Sequence, residues 1–177
     1  MLVYDGKGNL NFRVTYTEGG GGYLGIFNTS GKEVVQLGNT SNSGGYVTVY
    51  DQTEKMCVDL GSHKEGGGYL SVYNESEKDV IRLTNTSSAD GYIFIDSADG
   101  GNRMRLTTSD NGGGSFSIFN NQDVAVVRLG VTGTQSGVVN VHNSSKTRIN
   151  AMGADADKNG VINCWNNYGT KTVTLPN

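Results

Sequence analysis

Hydrophobic residues alternate with small, polar or aromatic ones in short runs, and the runs recur at a fixed interval. In "GYLGIF", "GYVTVY" and "GYLSVY" aliphatic residues hold the third and fifth places behind an opening glycine. That glycine stands at Gly22, Gly45, Gly68, Gly91, Gly114, Gly137 and Gly160, always 23 residues apart. Two places on come Leu24, Val47, Leu70, Ile93, Phe116, Val139 and Ile162, and two further on Ile26, Val49, Val72, Ile95, Ile118, Val141 and Cys164. A second run carries Val35, Val58, Ile81, Met104, Val127 and Val173, then Leu37, Leu60, Leu83, Leu106, Leu129, Met152 and Leu175. Period-two alternation of this kind predicts two strands per unit, each with one apolar face turned inward. No period of 3.6 occurs, so helix is not expected. Met1 falls in the column of Leu24, which makes a truncated first copy. The chain then reads as one repeat domain with units 1–21, 22–44, 45–67, 68–90, 91–113, 114–136, 137–159 and 160–177, with no insertion between them.

The link between the two strands, "NTSGK", "DQTEK" or "NNYGT", opens on Asn or Asp and often has Gly in its fourth place. This suits a hairpin with a bulged turn, although Glu54 and Glu77 replace the glycine in two copies. The second link, such as "NTSNSG" or "SHKEGG", reads as a polar surface loop. Two arrangements fit: one coil of a parallel solenoid per unit, or one antiparallel hairpin.

The other face of the first strand is not ordinary wet surface. Tyr23, Tyr46, Tyr69 and Tyr92 form one column, and Tyr4, Phe27, Tyr50, Tyr73, Phe119, His142 and Trp165 another. Val34, Cys57, Val80, Val126 and Ile149 of the second strand accompany them. Strands apolar on both faces are usually covered on both, which predicts burial of Tyr23, Phe27, Tyr46, Tyr50, Tyr69, Tyr73, Tyr92, Phe119 and Trp165 between copies of the chain, as a trimer about a common axis. Exposed tyrosine ladders or a sugar-stacking platform are the alternatives. The chain opens inside a first strand and stops after a second, so end-to-end stacking of copies in register is a further expectation.

Composition narrows the partners. The net charge of -3 offers no basic stripe for nucleic acid, and no apolar run reaches the ~18 residues of a membrane span. The start, Met1-Leu2-Val3-Tyr4-Asp5, lacks the pattern of a signal peptide. With 27 glycines and a single proline, glycine is expected to make nearly all the turns.

Candidate chemistry is sparse. His63 and His142 lie more than three units apart, and the acids Glu33, Asp59, Glu75, Asp79, Asp99 and Asp123 are scattered in a way that reads as solubility. No catalytic site and no cofactor are predicted. Asp155, Asp157 and Asn159 match the first half of a calcium loop, but Asn166 stands where its bidentate Glu belongs, so a solvated turn is the preferred reading. Cys57 and Cys164 occupy different columns and are expected to be free thiols. Thr17, Thr40, Thr86 and Thr132 share a loop column that could order water, although His63 and Asp155 interrupt it.

The gapless array of "GYLGIFN"-type and "GKEVVQLG"-type strands resembles the shaft repeats of bacteriophage tail fibres and related bacterial fibrous proteins. The resemblance implies a stiff homotrimeric β-rod on a virion or cell surface that spaces or presents a receptor-binding tip. The expectation is an all-β, elongated, β-prism or β-helix-like rod of eight two-strand repeats, intertwined as a trimer. Its function is structural, its partner is itself, and glycan binding through the aromatic columns is the alternative.

Overall fold

The computed structural model of the chain describes residues 1–16, 18–39, 44–63, 66–85, 90–108, 112–155 and 157–176. These are all-β, with no helix among them. Thr17, Thr40 and Thr86 lie outside the described residues. The chain divides into two compact units of four repeats each, Met1–Ala89 and Asp90–Asn177.

The first unit holds β1 (Leu2–Tyr4), β2 (Leu10–Tyr16), β3 (Gly22–Phe27), β4 (Glu33–Asn39), β5 (Gly45–Tyr50), β6 (Met56–Ser62), β7 (Gly68–Tyr73) and β8 (Asp79–Asn85). The second holds β9 (Gly91–Asp96), β10 (Asn102–Thr108), β11 (Gly114–Phe119), β12 (Ala125–Val131), β13 (Gly137–His142), β14 (Arg148–Ala154), β15 (Gly160–Trp165) and β16 (Lys171–Pro176). Within each unit every strand pairs antiparallel with the next, so each repeat is a hairpin and not a coil of a parallel solenoid.

The register carries the sequence columns into straight rows. Leu24 faces Leu37 and Ile26 faces Val35 inside a hairpin, and Leu37 then faces Val47 and Val35 faces Val49 across to the next one. Partners directly opposite share a face, so the aliphatic columns become two adjacent rows on one face of the sheet. Asn150 interrupts them, and its Nδ2 donates to the sulfur of its cross-strand partner Cys164 at 3.4 Å. Both thiols are free.

From β2 to β15 strand lengths of seven and six residues alternate, because the turn of each hairpin is followed by a bulge. Phe27 pairs with Glu33 but Ile26 pairs with Val35, leaving Val34 as the extra residue; Cys57 is skipped in the same way. The column Val34, Cys57, Val80, Val126 and Ile149 is therefore the bulge column and not part of the regular alternation.

The turns explain the rest of the period. In the first turn of each repeat, the backbone N–H of the tenth residue donates to the carbonyl of the seventh, as Gly31 does to Asn28 at 2.9 Å. The seventh N–H donates in turn to the carbonyl of the eleventh, as Asn28 does to Lys32 at 2.8 Å. The side-chain oxygen of Asn28 also accepts from the N–H groups of Ser30 and Lys32, and Asp5, Asp51, Asn74, Asn120, Asn143 and Asn166 repeat this arrangement. An Asx side chain that satisfies two turn donors is the physical reason for this column. The second link carries the same two bonds where they are described: the His63 N–H donates to the Gly67 carbonyl and the Gly66 N–H to that of His63, and Thr132 bonds Ser136 and Gln135 in the same way.

The left-handed position of these turns is not reserved for glycine. Gly8, Gly31, Gly100 and Gly169 hold it at φ between 76° and 89°, but Glu54 (71°), Glu77 (57°), Asp123 (57°) and Lys146 (65°) hold it as well. The opening glycines Gly22, Gly45, Gly68, Gly91, Gly114, Gly137 and Gly160 are first residues of odd-numbered strands and have no such φ.

No inward apolar core forms within a unit. Among the described residues only Val124 and Ala151 are buried hydrophobics, and no large side chain is fully buried. The column expected inward is instead open along its whole length, with Val14, Leu37, Leu60, Leu83, Leu106, Leu129, Met152 and Leu175 between 36% and 55% exposed. One layer of sheet has nothing to lay over its aliphatic face.

Candidate functional site

The aromatic columns lie on the opposite face, with the fourth- and fifteenth-place residues between and beside them. Tyr23, Phe27, Tyr46, Tyr50, Tyr69, Tyr73, Tyr92, Phe119 and Trp165 are all half-buried. Thr48, at 4% exposure between Tyr46 and Tyr50, and Ser71, at 5% between Tyr69 and Tyr73, are the most protected polar residues described. Small residues flanked on one face by two rings are covered by them, which is how this face closes over itself.

Glycines of the preceding strand make room for two of the rings. A Cβ on Gly38 would sit 3.0 Å from the Tyr46 hydroxyl, and one on Gly61 would sit 2.9 Å from that of Tyr69. Each pair faces across the ladder, Gly38 with Tyr46 and Gly61 with Tyr69, so the tyrosine lies over backbone that a side chain would otherwise cover. This Gly–Tyr pairing was present in the columns, but only the antiparallel register makes the two residues neighbours.

Acids that read as solubility groups in the sequence are the acceptors of this face. The Tyr23 hydroxyl donates to Glu33, and Arg13 lies 3.4 Å from the same carboxylate. Gln36 Nε2 donates to Glu33 at 3.0 Å while its Oε1 accepts from the Tyr50 hydroxyl at 3.0 Å. Asp59 accepts from Thr48 and from the Tyr69 hydroxyl, each at 2.8 Å. Arg13 also stacks over Tyr23 and Phe27, 5.1 and 5.3 Å from the ring centroids. Hydroxyls, carboxylates and a guanidinium thus link β2 to β5, and a second group links β5 to β7.

The second unit uses arginine in the same way. Arg105 lies 5.2 Å from the Phe94 ring and 5.4 Å from that of Phe119, and Tyr92 stacks on Phe94 at 5.3 Å. Arg148 lies 4.3 Å from the Trp165 ring. Burial, then Arg128 and Arg148, lower the His142 pKa and favour its neutral form. His63 bonds Thr84 at 2.8 Å and packs on Tyr69 in the first unit.

The calcium candidate is a turn of the common type. Asp155 Oδ1 accepts from the N–H groups of Asp157 and Asn159 at 3.0 and 2.9 Å, the task Asn28 performs in its own turn. Among the described residues no three His, Cys, Asp or Glu side chains are grouped to hold a metal ion.

The tyrosine network makes a pH dependence. Burial and then the bond to Glu33 raise Tyr23 from 10.0 to about 12, and burial and then Asp59 raise Tyr69 likewise. A raised folded pKa means stability that is complete below pH 10 and lost as pH climbs from 10 towards about 12. We expect the urea midpoint to fall across that window, and the fall to flatten in the Tyr23→Phe, Tyr69→Phe double variant. An unchanged alkaline slope in the double variant would contradict this origin.

No protein-family model and no curated protein matches the chain. No helix of the described residues is long and apolar enough to cross a membrane.

Proposed function

We propose that the chain is a structural repeat protein that assembles with copies of itself, as the shaft of a tail-fibre-like appendage or as an extracellular filament. The single observation that supports this most is the open aliphatic column, Val14 to Leu175, in which every repeat leaves its leucine, valine or methionine at least 36% exposed. A repeat protein completes its core by stacking or by association, and a single sheet layer needs the second. Three chains wound about one axis, on a virion or cell surface, is the form this reading takes. The ungapped 23-residue period suits a shaft, because an insertion in one repeat would break the rows for all of its neighbours.

Electron microscopy of the purified protein tests it. Multi-chain rods or filaments, with three chains in cross-section, are expected; short single-chain particles at every concentration would overturn it. A second reading, docking of a glycan on the aromatic face, draws on Trp165 and the guanidinium of Arg148 at 4.3 Å from its ring. Quenching of tryptophan fluorescence by oligosaccharides, removed by Trp165→Ala, would favour that reading.

A further inference from the structure

We propose that the aliphatic face, and not the aromatic columns, is the surface by which copies of this chain pack on one another. The inference rests on the self-assembly reading and adds which side of the sheet serves it. The two faces differ in how far each is already satisfied.

On the aromatic face Thr48 and Ser71 are only 4% and 5% exposed, and the hydroxyls of Tyr23, Tyr50 and Tyr69 already have acceptors in Glu33, Gln36 and Asp59. Covering that face with another chain would need these polar groups and the arginines to find further partners. The aliphatic face makes a smaller demand, since its two rows hold one amide side chain, Asn150, which already bonds Cys164. None of the 14 Lys and Arg or 17 Asp and Glu residues falls on its two rows, or on the neighbouring row of opening glycines and strand-end residues such as Asn39 and Ser62.

Area supports the same occupant. Of the sixteen row positions in each four-repeat unit, eight in the first unit and seven in the second are exposed, at 36–72%. At roughly 60 Å² of apolar surface per exposed side chain, one unit leaves on the order of 450 Å² in water, the size of the ~300–600 Å² largest patch of a typical monomer. Summed over the two units, the exposed rows reach the ~800 Å² per partner of a stable interface. A surface without charge gives a heterologous partner little to recognise electrostatically. A second copy, by contrast, presents the same two rows at the same ~4.8 Å strand spacing, so that row side chains can interdigitate between layers ~10 Å apart. The occupant we assign is therefore the identical face of another copy.

The test compares two variants on sedimentation equilibrium, with far-UV circular dichroism as a check on folding. Leu60→Lys, at a row position 46% exposed, is expected to reduce the assembly to single chains. Tyr50→Lys, on the aromatic face, is expected to leave it multi-chain. The reverse result overturns the face assignment while leaving self-assembly standing, and a single-chain unmodified protein at every concentration overturns both. Should Leu60→Lys fail to fold, the native thiol Cys164, followed separately from Cys57 by peptide mass spectrometry, reports without any substitution, because it lies in an aliphatic row opposite Asn150. Its maleimide labelling is expected to be at least tenfold slower in the concentrated assembly than after dilution to single chains. Concentration-independent labelling in a protein that does assemble overturns the proposal.

Discussion

Glu33→Ala is expected to lower the unfolding free energy by about 2–3 kcal/mol, measured by urea denaturation at neutral pH. The carboxylate accepts from Tyr23, lies 3.4 Å from Arg13 and accepts from Gln36 at 3.0 Å, so its removal leaves three half-buried donors without their acceptor. The ion pair alone would not give this much, because the Arg13 side chain is 38% exposed and screened. Tyr23→Phe removes one bond and should cost about 1 kcal/mol. A loss below about 0.5 kcal/mol for Glu33→Ala would mean that the network contributes little net stability.

Lys146→Gly combined with Lys158→Gly is expected to raise stability by about 1–2 kcal/mol. Both lysines sit in the left-handed region, at φ 65° and 68°, where glycine carries no Cβ penalty. Asp123→Gly should be near neutral despite its φ of 57°, because its carboxylate accepts from the Asn102 N–H at 2.7 Å and lies 3.8 Å from Arg103. Glu77 reaches the Met56 N–H in a similar way, and Glu54 lies 3.5 Å from Lys32. Acids at this position thus connect each turn to the preceding repeat, which offsets the backbone strain they carry. Equal stabilisation at Lys146 and Asp123 would contradict that account.

The repeat, the two strands, their alternation and an Asx-opened turn were legible in the sequence because each rests on spacing within one unit, whereas the choice of hairpin over parallel coil came from the strand pairing. Asn28 and its counterparts announced the turn through their side-chain chemistry, and the rows of Leu24, Leu37 and Val47 followed from period-two alternation. What stayed hidden depends on the register between strands. Glu33 is ten residues from Tyr23 and Asp59 ten from Tyr69, so neither acid could be recognised as a hydroxyl acceptor until antiparallel pairing brought them together. Val34 looked like a regular strand residue because a bulge has no composition of its own. Glycine was expected to make nearly all the turns, yet Glu54, Glu77 and Asp123 hold the same φ, with side chains that gain contacts there. Which face a single chain covers is also not given by alternation alone. Pattern says which residues share a face, whereas exposure depends on what lies over it, so Thr48 between Tyr46 and Tyr50 is 4% exposed while Leu60 is 46% exposed.

Sedimentation equilibrium of the unmodified protein, across a hundredfold range of concentration, tests the central claim most directly. The account predicts a mass that is a multiple of the 18.8 kDa chain, falling only on dilution. A mass of 18.8 kDa at every concentration, with the sheet intact by circular dichroism, would contradict it.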